Sequence, residues 1–136
     1  MPHVLLVEDE FQLRRIITLN LAREGYSVAE ADSVETAFDM FVAAREMEIP
    51  FDLIVLETHL PDRCGWDLLR LLRSTPQPAS GRHATGPTPV VVISPLPVTA
   101  GRLAEFAPVA ALLKPFPIEA LLRLVARAQR RAPVSA

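Results

Sequence analysis

Three carboxylates, one hydroxyl and one lysine have comparable positions in this sequence, because each ends or directly follows a short apolar run. They are Glu8, Asp9, Glu57, Ser94 and Lys114. Carboxylates that lie close together repel one another and need a cation to balance them. Oxygen ligands without His or Cys favour a hard divalent ion, with Mg²⁺ first. With a lysine and a hydroxyl added, such a site is suited to phosphoryl chemistry, which depends on positioning and charge neutralisation.

The lysine in this set is unusual for its rarity. Lys114 is the only lysine in the chain, beside 13 arginines. Arginine therefore supplies the ordinary surface charge of this protein. A single lysine indicates a task for which a compact ammonium on a flexible stem is better suited than a planar guanidinium.

The elements that would position these residues alternate between strand and helix five times. Short apolar runs bounded by turn residues predict strands, and apolar residues spaced three and four apart predict helices. The predicted strands cover residues 3–7, 26–30, 53–57, 90–93 and 110–113, and the predicted helices cover residues 10–23, 33–46, 65–74, 99–106 and 118–130. This alternation predicts a parallel sheet covered on both faces. The carboxyl ends of its strands would bring the five candidate residues to one edge, where open α/β sheets bind ligands.

Two local patterns add detail to this prediction. In the first helix, Leu13, Ile16, Ile17 and Leu21 form one stripe that we expect to face the core. Residues 75–89 contain four prolines and two glycines and predict a long surface loop.

Composition limits the class of protein. The chain has 136 residues, half of them hydrophobic, which suits one domain with a single core. No apolar run approaches the roughly 20 residues of a membrane span, and the N-terminus is predicted to be a strand and not a signal peptide. The single cysteine, Cys64, cannot form an internal disulfide, so we expect a cytoplasmic protein without a membrane association. Its spacing to the three histidines gives no zinc motif.

Charge is distributed unevenly along the chain. Residues 1–67 hold 14 acidic residues and 5 arginines, and residues 68–136 hold 2 acidic residues against 8 arginines and Lys114. Two interpretations stay open: two solvated surfaces of opposite sign, or an acidic functional edge and a basic partner face. The arginines lack interleaved aromatic residues, so direct nucleic-acid binding by this domain is not expected.

Four segments together resemble the receiver domain of two-component response regulators, over nearly the whole chain. They are VLLVEDE at 4–10, DLIVLETHLPDRCG at 52–65, VVVIS at 90–94 and LLKPF at 112–116. The resemblance implies a flavodoxin-like (βα)5 three-layer sandwich, with a parallel five-stranded sheet of order 2-1-3-4-5. It also implies a cis Lys114–Pro115 peptide bond. On this basis residues 1–131 would be the receiver domain, and residues 132–136 a tail or the start of a linker.

The resemblance also implies roles for individual residues. Glu57 stands at the phosphoacceptor position, Ser94 and Lys114 at the conserved hydroxyl and lysine positions. Mg²⁺ would be held by Glu8, Asp9, Glu57 and the backbone carbonyl of His59. The implied partners are a sensor histidine kinase or another signalling protein. An output domain or a second copy would bind the face formed by the fourth helix, fifth strand and fifth helix, with Arg102, Arg123 and Arg127 contributing.

Three positions depart from the family pattern. The family has Asp where this chain has Glu57, whose carboxylate reaches about 1.5 Å further into the pocket. The family also has a switch aromatic three residues before the lysine, where this chain has Ala111. Pro95, after Ser94, replaces the usual small residue and would stiffen the following loop.

Three functional hypotheses follow. The first is a non-enzymatic, atypical receiver that acts as a phosphorylation-independent or phosphomimetic protein-interaction module. The second is a Mg²⁺-dependent receiver phosphorylated by a sensor histidine kinase, with Glu57, or instead Asp9 or Ser94, as acceptor. The third is a flavin- or nucleotide-binding protein, or a phosphatase-type hydrolase, of the same topology. The acidic residues 8–10 argue against the third, because they would repel a phosphate in the absence of a metal.

Overall fold

The computed structural model describes residues 1–75 and 87–131. Its strands are β1 His3–Val7, β2 Ser27–Ala31, β3 Leu53–Glu57, β4 Val90–Ser94 and β5 Ala110–Leu113. Its helices are α1 Phe11–Arg23, α2 Val34–Glu46, α3 Gly65–Arg73, α4 Ala100–Phe106 and α5 Ile118–Arg131. The strands form one parallel sheet in the order β2-β1-β3-β4-β5. The predicted fold class and strand order are therefore confirmed, as is the cis Lys114–Pro115 bond.

The sheet separates two hydrophobic cores, because successive side chains of a strand point to opposite faces. The core on the side of α2, α3 and α4 takes from β1 and β3 the residues Leu5, Val7, Ile54 and Leu56. The core on the side of α1 and α5 takes from the same strands the residues Val4, Leu6, Leu53 and Val55. All five residues of β3 are buried, and so are all five of β4. Burial on both faces explains why these strands are apolar runs without alternation.

All predicted boundaries agree with the observed ones within one residue, and β2 shows how a one-residue difference arises. The strand begins at Ser27 and not at Tyr26, because the Tyr26 amide donates a hydrogen bond to the Leu21 carbonyl at the end of α1. Gly25, with φ of 92°, makes the turn between them. Tyr26 thus belongs to the helix-terminating turn, and the register of β2 starts with Ser27 opposite His3.

One part of the predicted core is wrong. Ile17 and Leu21 of α1 are fully buried, and Leu13 is half-buried, but Ile16 is 49% exposed. The contact face of α1, which packs against β1, β2 and α5, is narrower than the predicted stripe. Ile16 lies at the margin of this face.

Two predicted segments extend beyond the described residues. The predicted loop of residues 75–89 includes residues 76–86, which lie outside them, and so does the predicted tail of residues 132–136. Within residues 1–75 and 87–131, no helix is long and apolar enough to cross a membrane.

Gly65 allows the closest backbone approach at the functional edge of the sheet. Gly65 is the first residue of α3, and its amide donates a 2.7 Å hydrogen bond to the Thr58 carbonyl. A Cβ atom at this position would overlap the carbonyl oxygen of Glu57 and lie 3.1 Å from the Cα of Thr58. Glycine is therefore required here by lack of space.

We expect Gly65→Ala to lower the free energy of unfolding by about 2 kcal/mol or more, because backbone must move to admit the methyl group. Urea denaturation of the purified chain measures this. Gly101→Ala is the matched control: that glycine lies in α4, where the nearest atom to an added Cβ is 3.9 Å away. The control should raise stability by about 0.5 to 1 kcal/mol through helix propensity. Equal effects of the two substitutions would contradict the steric explanation.

Candidate functional site

The carboxyl ends of β1, β3, β4 and β5 bring four of the predicted residues to one edge of the sheet. Glu8 follows β1, Glu57 ends β3, Ser94 ends β4, and Lys114 follows β5. The first three are almost fully buried, with 0%, 3% and 4% of their surfaces exposed, and Lys114 is half-buried. Asp9 is exposed.

Lys114 makes the central contacts of the site. Its Nζ lies 2.8 Å from Oε1 of Glu8 and 3.4 Å from Oε1 of Glu57. One ammonium therefore serves two buried carboxylates, and the three groups together carry a net negative charge. The only lysine of the sequence therefore lies in this ion triad.

Burial is the main cause that raises the pKa of both carboxyl groups. Burial, followed by the negative charge of Glu8, raises the pKa of Glu57 to about 7, against the opposing effect of Lys114. Burial likewise raises the pKa of Glu8, although Lys114 and the Glu10 amide act to lower it. Burial acts to lower the pKa of Lys114, but the hydrogen bonds and charges of the two glutamates outweigh it, so this pKa is raised. The triad thus favours uptake of a proton by a glutamate and retention of the ammonium.

The capacity of this edge for a metal rests on one carboxylate oxygen. Oε2 of Glu57 is buried and has no hydrogen-bond partner, so it is a chemically suitable ligand for a hard cation. Oε2 of Glu8 accepts a 3.1 Å hydrogen bond from the Glu10 amide. Within the part of the chain that the structure describes, no three or more His, Cys, Asp or Glu side chains are grouped so as to hold a metal. The set of Glu8, Asp9, Glu57 and the His59 carbonyl therefore stays a prediction.

The hydroxyl of Ser94 is engaged with its own loop. It donates a 2.6 Å hydrogen bond to the Leu96 carbonyl, and it accepts hydrogen bonds from the Leu96 amide and from the hydroxyl of Thr58. The sequence placed Ser94 at the correct edge but did not show these partners. Thr58 was missed as well, although it is only 3% exposed. The sequence feature that could have identified Thr58 is its hydroxyl group directly after Glu57.

Arg14 and Asp62 support the edge and were also missed by sequence reasoning. Arg14 of α1 donates a 2.8 Å hydrogen bond to the Glu8 carbonyl and forms a 3.0 Å ion pair with Glu30. Asp62, in the segment between β3 and α3, accepts hydrogen bonds from the Val34 and Glu35 amides at the start of α2. Its small degree of burial acts to raise its pKa, but these and other backbone amides outweigh this and lower the pKa. Neither role leaves a local sequence signal, because the partners are distant along the chain.

Comparison with known proteins decides the family. The sequence model of the response regulator receiver domain matches residues 4–126. The chain belongs to this family. Receiver domains are signalling modules of two-component systems.

Two relatives share the receiver domain over nearly all of this chain. The response regulator ArlR of Staphylococcus epidermidis is 29% identical over 135 residues, which are 98% of this chain and 55% of that protein. The transcriptional regulatory protein ResD of Bacillus subtilis is 28% identical over 97% of this chain and 50% of that protein. The receiver domain thus spans about half the length of these relatives.

Two solved structures share its fold. The non-phosphorylated HemR receiver domain of Leptospira biflexa superposes with a TM-score of 0.80 at 23% identity and covers 100% of both chains. The response regulator TrrA of Thermotoga maritima, solved in complex with Mg(2+)-BeF, gives a TM-score of 0.73 at 20% identity over 94% of this chain and 99% of its own. At these identities the likeness concerns the fold alone.

The position at which the family carries its switch aromatic is at the surface of this receiver domain. Ala111 lies in β5, the edge strand that pairs with β4, and it is exposed. It has no ring that could turn between an exposed and a buried position. Any coupling between the triad and the surface of this receiver domain must therefore use other side chains.

The raised pKa of Glu57 predicts a pH dependence of stability in metal-free buffer. Its pKa in the folded state is about 7, against an ordinary value of 4.5. Between these values the folded state binds more protons than the unfolded state, so the free energy of unfolding falls as the pH rises through this window. Glu57→Gln removes this titration, and stability relative to the wild type should increase from pH 4.5 to pH 7.

Urea denaturation at several pH values, with a chelator present, measures the difference between wild type and variant. Glu119→Gln, an exposed glutamate in the first turn of α5, is the matched control and should show no such trend. A difference between wild type and Glu57→Gln that is constant across the window would contradict the raised pKa.

Proposed function

We propose that this chain is an atypical receiver domain whose output is a contact with another protein and does not depend on a phosphorylation cycle. One observation carries this proposal: Lys114, the predicted ligand of a phosphoryl oxygen, already contacts Glu57 at 3.4 Å and Glu8 at 2.8 Å. The carboxylate of Glu57 thus occupies the side of the lysine that an incoming phosphoryl group would need.

The length of the Glu57 side chain explains this arrangement. Compared with aspartate, glutamate extends its carboxylate by about one C–C bond, roughly 1.5 Å. A nucleophile displaced by this distance loses alignment with the groups around it, and such displacements cost large factors in rate. The same extension lets the carboxylate pair with Lys114 as a phosphoryl oxygen would, with one negative charge in place of about two. In its ionised form Glu57 therefore takes up the counter-ion that a phosphoryl group would need.

The surface we assign to the protein contact lies on α4, β5 and α5. Leu103 and Leu113 are 43% and 49% exposed on α4 and β5, and Arg123 and Arg127 are exposed on α5. Exposed apolar side chains and arginines on these three elements suit a protein partner with acidic groups. The proposed partners are an output domain, a second copy of this chain, or a signalling protein such as a sensor histidine kinase.

A second candidate function is a Mg²⁺-dependent receiver that accepts a phosphoryl group from a sensor histidine kinase. The unpartnered Oε2 of Glu57 favours it, because a buried carboxylate oxygen without a hydrogen bond is a natural ligand or nucleophile. Glu8, Asp9, Glu57 and the His59 carbonyl would hold Mg²⁺, which would supply positive charge opposite the triad. In this function Glu57 would accept the phosphoryl group, Lys114 would bind one of its oxygens and Ser94 another.

Intact-mass spectrometry after incubation with Mg²⁺ and acetyl phosphate separates the two functions. In the reaction tested, a carboxylate oxygen attacks phosphorus, the bond from phosphorus to the acetyl oxygen breaks, and acetate leaves. We expect no mass gain for the wild type and a gain of one phosphoryl group for Glu57→Asp, because the shorter side chain restores the acceptor position.

Glu119→Asp is the matched control, since it makes the same substitution on an exposed helix turn and should gain no mass. A phosphoryl gain by the wild type would replace the first function with the second, and peptide mapping would then identify the acceptor. If Glu57→Asp also fails to react, Glu57 alone does not account for the loss of chemistry.

A further inference from the structure

Within the described residues, the Ser94 hydroxyl bonds to its own loop and to Thr58, and not to Glu57 or Lys114. It lies 2.6 Å from the Leu96 carbonyl, 3.2 Å from the Leu96 amide and 3.1 Å from the hydroxyl of Thr58. Ser94 is 4% exposed and Thr58 is 3% exposed. Two buried hydroxyl groups, one on β4 and one directly after β3, therefore share a hydrogen bond across the sheet edge.

The proton positions in this set follow from its members. The Leu96 carbonyl can only accept, so the single proton of Ser94 goes to it, and the Leu96 amide can only donate. The hydrogen bond between the two hydroxyls must then use the proton of Thr58. The Nδ1 atom of His59 lies 2.9 Å from the Thr58 oxygen and donates to it in the tautomer that carries a proton on Nδ1. The two hydroxyl protons thus run in one direction, from Thr58 to Ser94 and from Ser94 to the Leu96 carbonyl.

This direction has a consequence for the site. A hydroxyl that hydrogen-bonds to a phosphoryl oxygen must donate its proton, but the proton of Ser94 is committed to Leu96. Ser94 would have to rotate, and to release both Leu96 and Thr58, before it could serve the pocket. Thr58 opposes that rotation, because its own buried hydroxyl would lose its acceptor.

We propose that Thr58 is a positioning residue that holds the Ser94 hydroxyl on the loop between β4 and α4 and away from Glu57 and Lys114. This inference deepens the proposed function, on which it rests, because the same loop leads into α4 of the assigned contact surface. Thr58 directly follows Glu57 and also accepts the Gly65 amide through its carbonyl. Its side chain links the end of β3 to the loop between β4 and α4. Ala111 has no polar group that could make such a link.

Thr58→Val tests the hydroxyl at nearly constant volume, and Thr58→Ser retains the hydroxyl. The first measurement is hydrogen exchange of the Leu96 amide by NMR, without metal or phosphodonor. We expect exchange about fivefold faster in Thr58→Val, the effect of one lost hydrogen bond, and close to wild type in Thr58→Ser. Thr75→Val is the matched control, because among the described residues the Thr75 hydroxyl bonds to the Leu71 carbonyl near the end of α3 and not to the loop of Ser94.

Either of two results would overturn the proposal: an unchanged Leu96 amide in Thr58→Val, or equal acceleration in Thr58→Val and Thr58→Ser. The second result would assign Thr58 a packing role through its methyl group. Thermal unfolding of each variant shows whether the fold is retained, and Thr58→Ser keeps the comparison informative if Thr58→Val is unstable.

The second measurement is the rate of mass gain with acetyl phosphate and Mg²⁺ in the Glu57→Asp background. We expect Thr58→Val to accelerate it about threefold or more, because Ser94 is then free to rotate, and Thr58→Ser to leave it unchanged. A rate that falls, or does not change, in Thr58→Val would contradict restraint of Ser94 by Thr58. If Glu57→Asp alone does not react, the claim that Glu57 alone prevents phosphoryl transfer is disproved. The exchange of the Leu96 amide still decides the role of Thr58.

Discussion

The contact of one lysine ammonium with two buried carboxylates governs the edge of the sheet in this receiver domain. Lys114 contacts both Glu8 and Glu57, whose side chains are almost inaccessible to solvent. Removing charges from water is costly, and the cost is offset only where opposite charges are close. With two negative groups and one positive group the offset is incomplete. The pocket therefore favours a further positive charge, and the raised pKa of Glu57 shows that a proton can supply it.

A proton, a divalent cation and a phosphoryl group would all act on this same imbalance. A proton or a cation reduces the negative charge, whereas a phosphoryl group adds to it and needs Lys114 as its counter-ion. Glu57, with its additional methylene, already uses that counter-ion. In the proposed function, the chemistry of the receiver domain thus depends on the length of the Glu57 side chain as much as on its charge.

The backbone around Glu57 is held from several directions. Gly65 brings the start of α3 against the carbonyl groups of Glu57 and Thr58. Arg14 fixes the carbonyl of Glu8 from α1, and Asp62 joins the segment after β3 to the start of α2. These contacts restrict movement of the backbone at the end of β3. A signal from the pocket would pass most directly through the side chains that already connect it to the next loop, and Thr58 with Ser94 form such a connection.

Much of the fold could be predicted, since its signals are local. Apolar runs such as residues 53–56 specify buried strands, spaced leucines specify helices, and their alternation specifies a parallel sheet. The positions of Glu8, Glu57, Ser94 and Lys114 followed, because strand ends meet at one edge. The exposure of Ile16 and the start of β2 at Ser27 did not follow, because they depend on how α1 packs and ends.

The sequence by itself determined which residue types meet at the sheet edge, because element order and strand direction are encoded in local patterns of hydrophobicity. Only the tertiary structure decided their pairing. Two glutamates share Lys114, and the Ser94 hydroxyl donates to Leu96 and accepts from Thr58. These pairings are set by distances of a few ångströms between groups on different strands and loops. Such distances depend on the register and twist of the whole sheet and on side-chain rotamers, for which no local sequence pattern exists.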